Sequence, residues 1–133
     1  MIPTIDKNRA PQKPILLLWL HGLYFALPSI WPLVHMPSFL AVTGPKTDLW
    51  LVQTVALLLL VMSAVFITAA LTGEYQTYLG VLAIGSTVAM AWVDIYFATN
   101  DVIWNTYLLD AVGELLLLIA WIYYLFKKKR AKI

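Results

Sequence analysis

Residues Val93 to Trp121 read VDIYFATNDVIWNTYLLDAVGELLLLIAW. Two apolar runs flank a short polar hinge, TNDVIWN, at Thr99 to Asn105. A hinge of that length makes the runs antiparallel neighbours if both are helices. Yet Asp94, Asp110 and Glu114 lie inside the apolar parts, far along the chain from any Lys or Arg. The fold that accommodates those three acids decides how the rest of the chain is read.

The chain has 133 residues, of which 62% are hydrophobic and 12% charged. Its mean hydropathy is +0.81. Soluble domains are about 45–50% apolar and about 25% charged, so this composition argues against both a soluble globule and a disordered chain. There are no cysteines, which removes disulfide frameworks, thiol nucleophiles and thiolate metal sites. The net charge of +2 is small. Its basic residues gather at the two tails rather than on a folded face, so no nucleic-acid partner is expected.

A membrane span needs about 20 apolar residues. Four segments meet that length: Pro14 to His35, Leu49 to Leu71, Thr77 to Ala98, and Thr106 to Phe126. The expected fold is all-α, a four-helix transmembrane bundle running up-down-up-down. Residues 14–126 form its single membrane domain, between basic tails at 1–13 and 127–133. The first span is too long for a secretory signal and lacks a small-x-small site after it, so it is expected to stay in place. The link HMPSFLAVTGPKTD, His35 to Asp48, is longer than the others and is expected to dip into the interface.

Lys and Arg mark the cytoplasmic side of a membrane protein. Lys7, Arg9 and Lys13 precede the first span, and Lys127, Lys128, Lys129, Arg130 and Lys132 follow the last, with only Lys46 between. Both tails are therefore expected in the cytoplasm, with the first and third links outside. Trp31, Trp50, Trp92, Trp104, Tyr96 and Tyr107 then form an outer aromatic belt, and Trp19, Tyr123 and Tyr124 an inner one.

Depth gives the acids their meaning. Glu114 falls about 12 Å below the start of its helix. Asp110 and Glu114, four apart, share a helix face. Gly80, Ala83, Thr87, Ala91 and Asp94 follow a three-and-four spacing, and small residues let membrane helices approach closely. Asp94 is thus expected to face the bundle interior. Asp110, Gly113, Glu114, Leu117 and Trp121 make the matching stripe on the last span. An acid at the centre of a span costs about 2.5–3.5 kcal/mol. The least costly relief is a held proton or a bound cation.

Glu114, Asp110, Asp94, His35, Gln53 and Trp31 are the candidate ligand-binding residues, all at the expected outer side. Lys46 is the one outward cation that could reach the acids. Thr47 or Asp48 is placed to cap the second span, and Gly44-Pro45 to make a turn. Pro28 and Pro32 are expected to bend the first span. No cofactor is expected: His21 and His35 lie about 21 Å apart along one helix, so they cannot clamp one haem. No metal is expected either, since a Glu-x-x-His pair is missing. A short repeat sets DLWLVQTV from Asp48 beside NTYLLDAV from Asn105, with Gln53 matching Asp110.

The segment SFLAVTGPKTDLWLVQT, Ser38 to Thr54, together with YLLDAVGE, Tyr107 to Glu114, resembles a group of small bacterial four-span membrane proteins that carry an AVTGPKTD-x-WLV segment. The resemblance implies a bacterial inner (plasma) membrane. It supplies neither an activity nor a catalytic residue. The residues themselves point first to a pocket for a small amphipathic, cationic or lipid-like ligand. Two alternatives stand beside it: an enzyme doing acid/base chemistry on a lipid or isoprenoid, with Glu114 as acid and Asp94 or His35 as base; and a proton-coupled carrier or structural membrane subunit. The expected partners are membrane lipids and a small molecule, and a homodimer is compatible with the small-residue stripes.

Overall fold

A computed structural model describes residues 12–131. The readings placed on Lys7, Arg9 and Lys132 lie outside them. Among the described residues the chain is all-helical: α1 Ile15–Val34, α2 Met36–Thr43, α3 Leu49–Thr72, α4 Thr77–Thr99 and α5 Thr106–Ala131. Helices α1, α3, α4 and α5 are long and apolar enough to cross a membrane. At about 1.5 Å per residue they match a hydrocarbon core about 30 Å thick. Their outward faces carry large apolar side chains; Leu109 is 74% exposed and Leu16 73%. In water such a surface would drive association, whereas acyl chains solvate it.

Helix α1 packs along α3, and α4 along α5. The α1–α3 pair is close because Gly22 has no side chain: a Cβ there would sit 2.6 Å from Ile67 Cγ1. At the same level the Ser63 hydroxyl donates to the Gly22 carbonyl at 2.7 Å. On α4 the stripe Gly80, Ala83, Thr87, Ala91 and Asp94 is buried throughout. The two pairs meet through α1 and α2 against α5, where Thr106 Oγ1 donates to the Val42 carbonyl at 2.9 Å.

The two ends of the bundle differ in chemistry. Where α1 and α4 start and α3 and α5 finish, Leu18, Phe25, Phe66, Ala69, Ala70, Leu79, Ala83 and Trp121 form a dry core. This is the basic end, because α5 continues helically through Lys127, Lys128, Lys129 and Arg130. Asp94, Asp110 and Glu114 lie toward the other, acidic end.

Local chemistry departs from expectation in the long link. Part of it folds as α2, with Pro37 in its first turn, where the missing N–H costs nothing. Gly44 then breaks the helix at φ +99, a conformation glycine adopts freely, and the Trp104 ring covers it. Lys46 does not extend to the acids. Its ammonium donates to Thr43 Oγ1 at 2.9 Å and to the Gly44 carbonyl at 3.1 Å, and it lies over the rings of Phe39 and Tyr107. Thr43 and Gly44 sit three and two residues away, so holding them costs less order than a reach into the bundle. Asp48 occupies the N-cap position of α3, but its side chain makes no capping bond. Pro28 and Pro32 both remain within one continuous helix. Ser29 Oγ donates to the Phe25 carbonyl at 2.6 Å between them, whereas the carbonyls that lose their i+4 donor are those of Tyr24 and Pro28.

Candidate functional site

Three helices build the acidic site. Asp94 comes from α4, Asp110 and Glu114 from α5, and Tyr24 from α1. The Tyr24 hydroxyl donates to Asp110 Oδ1 at 2.5 Å and lies 2.9 Å from the Asp110 carbonyl oxygen. Gly113 makes that contact possible, because a Cβ there would overlap the Tyr24 ring. The phenol thus lies directly on the α5 backbone, one turn from Asp110.

Asp94 and Glu114 are 2% and 1% exposed. Asp94 Oδ2 and Glu114 Oε2 are buried without a hydrogen-bond partner. Both carboxyls feel Asp110, and all three act on the Tyr24 hydroxyl, so the four groups form one cluster. Leaving a buried polar group unpaired costs about 1–3 kcal/mol, and more for a charged one. Buried polar atoms in folded proteins are nearly always satisfied. Two unsatisfied carboxylate oxygens nonetheless lie inside the bundle. The cluster offers acceptors, so a partner for those oxygens would have to donate hydrogen bonds or carry positive charge. Among the described residues no set of three His, Cys, Asp or Glu side chains is arranged to hold a metal ion.

The remaining candidates lie elsewhere. Trp31 Nε1 donates to Ser38 Oγ at 2.8 Å. His35 Nδ1 is 2.7 Å from the same oxygen and accepts from the Ser38 backbone N–H at 3.2 Å. Trp31, His35 and Ser38 are thus one exposed knot that caps α2. Gln53 is exposed on α3, so its counterpart in the short repeat, Asp110, occupies a different environment. The structure brings Asp94, Asp110 and Glu114 together and leaves Trp31, His35 and Gln53 outside that cluster.

Sequence reasoning missed Tyr24. Its one signal was its place three residues after His21 on the same helix. His21 is fully buried at the basic-end core. It accepts from Trp121 Nε1 at 3.0 Å through Nδ1, so in the neutral ring Nε2 carries the proton. That Nε2 is a further buried atom without a partner. The imidazole stacks on Phe66 at 4.3 Å between centroids and meets Phe25 edge-on.

These features define a class: a small polytopic helical membrane protein with a carboxylate cluster inside its bundle. Compared with known proteins, the chain shows no significant match to a family model, a curated protein or a solved structure.

Proposed function

We propose that this protein binds a small amphipathic cation at Asp94, Asp110 and Glu114, with the ligand's ammonium on the carboxyls and its apolar part among the helices. One observation carries the reading: Asp94 Oδ2 and Glu114 Oε2 are buried yet unpartnered, while Asp110 is held in place by Tyr24. An ammonium supplies the missing donors and the missing charge. Ionisable groups within a membrane are functional sites by default, because their insertion cost is otherwise unrelieved. A ligand hydroxyl would supply one donor and no charge, which makes the amine the stronger candidate. The basic tails support a cytoplasmic placement of both termini, with the acidic end outward. The AVTGPKTD-x-WLV segment supports a bacterial plasma membrane.

The test uses n-alkylamines of six to twelve carbons and n-alcohols of equal length, added to the protein in a non-ionic detergent. Binding to the folded state adds about 2.7 kcal/mol at a hundredfold excess over Kd. Amines are expected to raise the unfolding temperature in a chain-length-dependent way and alcohols to do so weakly. The rise should vanish in the Asp94→Ala/Glu114→Ala double variant. Equal stabilisation of the double variant by the amines would defeat the proposal.

A further inference from the structure

A second feature lies at the opposite end of the bundle. An open groove of about 360 Å³ runs between α4 and α5. Val81, Ile84 and Leu125 make its apolar walls, Gly80 and Gly85 its floor, and Tyr75 its rim. The rim lies where the bundle turns basic: Lys128 Nζ sits 4.9 Å from the centre of the Tyr75 ring. On a helix of 3.6 residues per turn, Lys128 and Lys129 fall within about 60° of Leu125, one turn further along. Lys127 and Arg130 project from the other side of α5, more than about 130° away. The groove therefore runs toward Lys128 at its Tyr75 rim, with Lys129 on the same side of α5 by helical spacing.

We propose that this groove binds an anionic glycerophospholipid, one acyl chain lying against Gly80, Ile84 and Gly85 and the phosphate meeting Lys128 and Lys129. An acyl chain fits an open, mostly apolar groove that faces lipid. A phosphate at the channel mouth matches two cations that have no carboxylate on the same turn. Basic residues near a membrane surface each strengthen anionic-lipid binding by about fivefold. The groove adds geometry to that attraction, because it selects two of the four described cations of α5 rather than their sum. A second copy of the chain is a poorer occupant: it would bring its own lysines to the same rim.

Gly85 offers a clean block. A Cβ there meets nothing within 4 Å, so a side chain can begin at this position, and Gly85→Leu is expected to grow into the groove. The protein is released from vesicles of equimolar phosphatidylglycerol and phosphatidylcholine with identical chains, and bound lipids are counted by native mass spectrometry. The wild type should retain phosphatidylglycerol over phosphatidylcholine on the order of tenfold. Gly85→Leu and Lys128→Gln/Lys129→Gln should each bring the ratio close to one. Lys127→Gln/Arg130→Gln removes the same charge from the far face and should leave the ratio within about twofold. Thermal unfolding of each variant confirms that it is folded. The proposal is overturned if the ratio survives Gly85→Leu, or if the two double variants lower it equally. It is also overturned if Gly85→Leu dissociates a dimer while lipid selection persists.

Discussion

Tyr24 and Gly113 belong together although 89 positions separate them in the chain. The phenol can reach Asp110 only because position 113 offers bare backbone. Gly113→Ala should therefore destabilise the bundle by about 1–3 kcal/mol, as overpacking does. In a Tyr24→Ala background the same substitution should cost little, since the ring it strikes is gone. A double-mutant cycle on thermal unfolding in detergent reads that coupling directly. Additive effects would mean that Tyr24 does not rest on α5. Tyr24→Phe keeps the ring and deletes only the hydroxyl. It should cost about 1.5–3 kcal/mol if Asp110 is charged and about 1 kcal/mol less if it is not.

Among the elements, α1 and α3 are the pair set most closely by small residues. Gly22 lets the backbones approach, and the Ser63 hydroxyl then closes on the Gly22 carbonyl. Gly22→Ala pushes against Ile67 and the Ser63 carbonyl oxygen, so it is expected to separate the helices and lower stability by about 1–3 kcal/mol. Ser63→Ala should cost less, about 0.6 kcal/mol, the usual worth of one hydrogen bond between membrane helices. Reversible unfolding in mixed micelles would rank the two; a larger loss for Ser63→Ala would show that the bond, and not the close approach, holds the pair. The four spans were legible in the sequence because about 20 apolar residues in a row have one cheap solution in lipid. Helix α2 was not. Its eight residues leave only a short apolar signal, and its start is set by the knot of Trp31, His35 and Ser38, which forms only once the chain has turned.

At the scale of the whole molecule, stability and the acidic site pull in opposite directions. Two buried carboxylate oxygens without partners make the unliganded bundle less stable than an apolar version of the same shape. Asp94→Leu with Glu114→Met, which keep the reach of each side chain without its charge, should raise the unfolding temperature of the unliganded protein and abolish any response to alkylamines. That combination is the stability–function trade-off expected of a site maintained for a ligand. A fall in stability would instead make both carboxyls part of the structural framework. The basic-end core, with His21 between Phe66 and Trp121, meets the acidic cluster at Tyr24, which packs against it; since neither Asp94 nor Glu114 is part of it, it should respond little to both changes.

The sequence by itself determined the four spans, the small-residue packing stripe of α4, and the burial of Asp94 and Glu114. These follow from local rules: apolar length, helical spacing, and the cost of a carboxyl in hydrocarbon. Only the tertiary structure decided which side chains those acids meet. Tyr24 reaches Asp110 from 86 residues away, Lys46 turns back to Thr43 and two rings, and His35 closes a cap rather than a pocket. A hydrogen bond or an ammonium–ring contact is settled within a few ångströms, and no periodicity in the chain encodes distances that fine between helices far apart in sequence.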